Sequence, residues 1–87
     1  MANFQIGQIV FSKSGRDKGT ALIVLSSEGE YVYLADGKVR PISKPKKKKF
    51  KHVQPTNTVN AAIAALVDNG RLLDSDLKKA LAEFCKS

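Results

Sequence analysis

The sequence predicts a small, mostly β protein with an α tail, an α+β class: about five short strands over residues 1–55, then a two-helix hairpin over 56–87. Three observations predict this. Up to Pro55, short apolar runs alternate with turns rich in glycine, aspartate and serine. After Pro55 the spacing changes, and Val59, Ile63, Leu66 and Val67 recur at helical intervals among alanines. The charge divides at the same place. Residues 1–55 carry eleven Lys or Arg against four Asp or Glu, whereas 56–87 carry four of each, so the whole net charge of +7 sits on the first part.

The elements follow in order. A first strand is expected over 6–12, with Ile9, Val10 and Phe11 as its apolar centre, and a second over 20–26. Between them Gly15 and Gly19 bracket a basic turn and supply backbone freedom that other residues reach only with strain. Residues 26–30 read as a turn and 31–35 as the third strand. Asp36-Gly37 is a hairpin signal, because both central positions of a type I′ turn need positive φ, and a fourth strand is expected over 38–42. A short last strand is expected over 51–54. Five short strands with tight connections suggest a strongly bent barrel, since closing a sheet hides its edges.

In the tail, Thr56, Asn57 and Thr58 are helix-capping types ahead of the first helix, and Asn69-Gly70 is a helix stop. Asp74, Ser75 and Asp76 restart a second helix whose apolar stripe reads Leu73, Leu77, Leu81 and Phe84. Cys85 falls on that stripe and reads as a packing residue. The bland reading of the hairpin is that its apolar residues close on each other or cap the barrel; the functional one is a docking surface for a protein partner. Acids at the start of the second helix argue against a helix-turn-helix DNA reader.

The size suits one small domain with an appendage, expected to be a monomer. No apolar run approaches the roughly 20 residues of a membrane span, and Ala2, Asn3 and Gln5 give no signal-peptide pattern. Cys85 has no internal disulfide partner, which fits a reducing cytoplasm, and lies third from the end, where it makes no recognised lipidation signal. The uneven positive charge points to a polyanion, with nucleic acid ahead of an acidic lipid surface.

Three groups of residues are candidates for that contact. Lys13, Arg16 and Lys18 ride on the 12–19 turn, Arg16 as the specific contact because a guanidinium makes bidentate bonds or stacks on a base. Asp17 reads as the structural member of the turn, bonding its backbone amides. Lys38 and Arg40 lie on the expected fourth strand beside it. Residues 44–51 hold six lysines in eight positions: Lys44, Lys46, Lys47, Lys48, Lys49 and Lys51. Such a run is often solvated and mobile, and becomes ordered where it neutralises closely spaced phosphates. His52 ends this basic segment.

Tyr31 and Tyr33 share one face of the third strand and Val32 and Leu34 the other. With the aliphatic pair in the core, the tyrosines are outside, either free to stack on bases or packed under the lysine run; both placements stay open. Phe50 reads as an anchor of the lysine run, and Phe4 and Phe11 as core.

Residues 7–19 resemble the KOW motif of ribosomal proteins and NusG-type transcription factors. The first 55 residues resemble the large-subunit ribosomal protein fourteen-e family. The likeness rests on Ile6-Gly7-Gln8-Ile9-Val10, Gly15-Arg16-Asp17-Lys18-Gly19, Val32-x-Leu34-x-Asp36-Gly37 and the basic segment ending Lys51-His52-Val53. Short bacterial KOW-domain RNA-binding proteins also share the 35–38 Ala-Asp-Gly-Lys and 44–49 Lys-Pro-Lys-Lys-Lys-Lys features. This resemblance implies an SH3-like β-barrel that binds structured RNA, first of all ribosomal RNA of the large subunit. NusG-type KOW domains imply the alternative of a protein-interaction module in transcription or translation.

Other chemistries find little support. One histidine and a distant cysteine do not assemble a metal site, and no cofactor is expected. No nucleophile–base pair suggests an enzyme. Gly15-x-x-x-Gly19-Thr20 is one residue short of a phosphate-binding loop and lacks its lysine.

Overall fold

The computed structural model describes residues 4–86, so the expectation drawn from Ala2 and Asn3 lies outside the described residues. Five antiparallel strands are followed by two helices. The strands are β1 (Gln8–Ser12), β2 (Ala21–Glu28), β3 (Tyr31–Ala35), β4 (Lys46–Lys49) and β5 (Val53–Val59), in the spatial order β4-β3-β2-β1-β5. The helices are α1 (Ala61–Asp68) and α2 (Asp74–Lys86).

The sheet buries both of its faces, which is why β2 begins as an uninterrupted apolar run rather than an alternating one. On one face Ile9, Ile23 and Ala35 form a core with Ile63 of α1 and Leu77, Ala80 and Leu81 of α2. On the other, Val10, Leu22, Val24, Val32, Leu34 and Val53 form a second core. All six belong to strands, with Phe4 packed against them, so the sheet bends over this side. Two irregularities supply the bend: an extra residue, Leu25, in β2 opposite β3, and a longer bulge in β5 opposite β1. At the second, side chains replace ladder bonds, with Thr56 Oγ1 donating to the Ile9 carbonyl and Gln8 Nε2 to the Thr56 carbonyl.

Several expectations are corrected. Residues 38–42 are a closed loop, not a strand. The Asp36 carboxylate accepts from the amides of Lys38 and Arg40 at 2.8 and 2.9 Å, and the Ile42 amide donates to Asp74 Oδ1. These bonds compete with any ladder, and Pro41 has no N–H to give one. The fourth strand is instead the lysine run itself, paired with β3 as Tyr31↔Lys49, Val32↔Lys48, Tyr33↔Lys47 and Leu34↔Lys46. Residues 50–52 form a 3₁₀ turn, so His52 precedes the strand it was expected to join.

The expected division after Pro55 falls inside β5, and Thr56, Asn57 and Thr58 belong to that strand. The cap of α1 is Asn60, whose side chain accepts from the Ile63 amide at 3.0 Å. Helix α1 stops as expected, with Gly70 at positive φ. In α2 the stripe is Leu77, Ala80, Leu81 and Phe84; Leu73 is 62% exposed and Leu72 packs in its place. Cys85 is exposed rather than packed. Phe84 tilts against Phe11 with ring centroids 6.0 Å apart.

Candidate nucleic-acid interface

The site begins with the 12–19 turn. Its ends are tied by the Gly19 amide donating to the Ser12 carbonyl, and the Lys13 amide donates to the His52 carbonyl. Inside the turn, the Ser12 hydroxyl lies 2.9 Å from both Asp17 Oδ1 and the Ser14 carbonyl. Asp17 thus bonds the Ser12 and Lys48 side chains as well as its own backbone amide in the turn.

Its main partner comes from β4. Lys48 Nζ lies 3.1 Å from Asp17 Oδ1 and donates to the Ser14 carbonyl at 2.8 Å. Lys48 is 8% exposed. Strand alternation explains this: Lys48 sits opposite Val32, on the side of the second core, and its ammonium reaches the turn. Burial pushes the Asp17 carboxyl up, but the Ser12 and Lys48 hydrogen bonds and the Lys48 charge outweigh it and hold the carboxyl below its ordinary value. Lys48 is therefore a structural ion-pair partner, not a solvent-facing RNA contact.

The same alternation splits the lysine run. Lys46 lies opposite Leu34, on the side of Lys48. Lys47 and Lys49 point the other way, onto Tyr31, with ammonium groups 4.5 and 6.0 Å from the ring centroid. Of the two placements left open for the tyrosines, Tyr31 takes the one under the lysines. Tyr33 shares its face and is half-buried. Lys44 and Lys51 are exposed at the ends of the run.

The structure brings Arg16, Arg40 and Lys46 together around one cleft of about 440 Å³, with Asp17, Thr20, Leu22, Asp36 and Val39 completing the lining. Sequence reasoning placed the three cations in the site but missed Asp36, Leu22 and Val39. Asp36 was legible as a turn residue; the wall made by Leu22 and Val39 exists only because the 36–40 loop folds back. Lys13 and Lys18 are exposed on the turn outside this lining, and Lys38 faces a separate shallow depression beside Lys78 and Cys85.

Among the described residues, no group of three or more His, Cys, Asp or Glu is placed to hold a metal ion, and no helix is long and apolar enough to cross a membrane. Of the apolar side chains of the helical hairpin, Ile63, Leu77 and Leu81 are buried against the sheet, and Leu66 and Phe84 are half-buried. Comparison of the chain with known protein families and with curated proteins found no match.

Proposed function

We propose that this chain is an RNA-binding protein of KOW type, its bent sheet an SH3-like barrel, and that its partner is ribosomal RNA of the large subunit. It would act in the cytoplasm as a ribosomal or ribosome-associated protein and not as an enzyme. One observation carries the reading: Arg16, Arg40 and Lys46, from three separated segments, converge on one cleft, while Lys47 and Lys49 flank an aromatic ring on the next surface of the same strand. Cations clustered beside a groove are what captures the phosphates of a folded RNA, and the ring under Lys47 and Lys49 holds those two ammonium groups in place. Lys13, Lys18, Lys38, Lys44 and Lys51 extend the positive field around them.

The test is the salt dependence of binding to a structured ribosomal RNA fragment. Lys46, Lys47, Lys49 and Lys51 are changed together to glutamine, leaving Lys48 in place. Each lost phosphate contact lowers the log–log salt slope by roughly one. A slope unchanged in the quadruple variant would refute the electrostatic capture. Sedimentation of lysate on a sucrose gradient tests the ribosomal part: co-migration with large subunits that is lost at high salt is expected, and protein confined to the free fractions would remove the ribosome as partner.

A further inference from the structure

The cleft described above has a mixed chemistry that phosphate alone does not explain. Arg16, Arg40 and Lys46 line it, but so do Asp17 and Asp36. Two polar atoms of lining residues are buried without a partner: Asp17 Oδ2, an acceptor, and Arg40 Nε, a donor. Asp36 accepts both of its hydrogen bonds through Oδ1, which leaves Oδ2 for a ligand. The accessible apolar part is Val39, 79% exposed, while Leu22 lies fully buried beneath the cleft. Val39 is the most exposed large hydrophobic side chain among the described residues.

A simple anion would suit the cations and be repelled by the carboxylates; a simple cation would meet the reverse. The lining asks for a ligand with acceptors and donors on adjacent edges and a flat apolar face. Among the nucleobases, guanine has this pattern. Its O6 and N7 accept together from a guanidinium, and its N1–H and N2–H₂ donate together to a carboxylate. Adenine lacks the N1–H donor, cytosine pairs one exocyclic donor with acceptors, and uracil has one N–H between two carbonyls. The volume lies within the range of about 300–1,000 Å³ usual for small-ligand sites.

We propose that this cleft takes one unstacked guanine nucleotide of the bound RNA, an assignment that rests on the RNA-binding reading above. The Arg16 and Arg40 guanidinium groups read O6 and N7. Asp36 accepts from N1–H and N2–H₂, Val39 packs on the base, and Lys46 contacts the phosphate.

Two measurements on the full chain test it. In the first, amide NMR spectra are recorded with GMP, AMP, CMP and UMP. GMP is expected to shift the amides of Arg16, Thr20, Leu22, Val39 and Arg40 at concentrations where the others do little; equal shifts from all four, or shifts elsewhere, overturn the proposal. In the second, single-stranded RNAs that differ by one guanine-to-adenine change are compared on the wild type and on Asp36→Asn. Asparagine keeps Oδ1 to accept from the Lys38 and Arg40 amides but replaces Oδ2 by a donor that meets the guanine donors head-on. A wild-type preference of about tenfold for guanine should fall below about threefold in the variant, with adenine RNA bound as before. A preference that survives the substitution, or no preference at all, refutes the assignment. RNA binding that is steep in salt but blind to guanine would sink this proposal and leave the RNA reading standing. No RNA binding at all would sink that reading, while the mononucleotide titration still judges the cleft.

Discussion

Replacing Lys48 with methionine tests how the lysine run is divided. The side chain is 8% exposed and makes two contacts, to Asp17 at 3.1 Å and to the Ser14 carbonyl at 2.8 Å. Methionine keeps much of the stem but leaves Asp17, itself 17% exposed, without its counter-charge, with the Ser12 hydroxyl and its own backbone amide as remaining donors. Removing one member of a buried pair costs about 3–5 kcal/mol, and the residual solvent contact of Asp17 sets the lower end, about 3 kcal/mol. A domain of this length has roughly 4–13 kcal/mol in all, so the variant should melt about 12–24 °C lower. Lys47→Met, one residue away but exposed over Tyr31, should cost about 0.5–1 kcal/mol. Circular dichroism melts at pH 7 compare the two. Equal, small shifts would refute the assignment of Lys48 to the interior.

Acid adds a second reading of the same pair. The Asp17 carboxyl is held below its ordinary value of 3.8, so its contribution is present above that value and fades as pH falls through the lower, folded one. Without Lys48 the hydrogen bond and charge that lower it are gone while burial still raises it. The gap between the unfolded and folded values therefore closes, and the Lys48→Met protein should lose less stability than the wild type as pH falls below 3.8. Adding Asp17→Leu to Lys48→Met removes the stranded charge, and the double variant should be more stable than Lys48→Met alone.

Two further outcomes follow from the fold. Gly37→Ala should destabilise by more than about 2 kcal/mol in urea titration, because the residue sits at φ +82° and a Cβ would collide with the Asp74 carbonyl of α2; Gly29→Ala, at positive φ but in open space, should cost less. Deleting 56–87 removes part of β5 and uncovers Ile9, Ile23 and Ala35, so the remainder should show no dispersed NMR spectrum and no cooperative melt; a folded remainder would refute the shared core.

What the sequence disclosed depended on how local each signal was. Tyr31–Ala35 is legible residue for residue because apolar content, β-branching and flanking turns agree there. The restart of α2 at Asp74 is equally local. The fourth strand was misplaced because Val39 and Ile42 suggested one, although Pro41 already argued against it. Nothing local marks four consecutive lysines as a strand; pairing with β3 overrides their weak preference. The candidate site was legible as charge and not as geometry. Arg16 and Arg40 were singled out, but that they meet Lys46 across an apolar wall follows from contacts far apart in the chain.

Strand β4 ends the order of the sheet, and it is written entirely in lysine. An outermost strand offers its unpaired amides and carbonyls to any other chain that can lie alongside, and lysine is the residue type that discourages such a neighbour. The four side chains therefore guard solubility whether or not RNA is present. A variant designed only to weaken RNA binding, with these lysines made neutral, also removes that guard. It should be watched for self-association as concentration rises, because a loss of soluble protein would otherwise be mistaken for a loss of affinity.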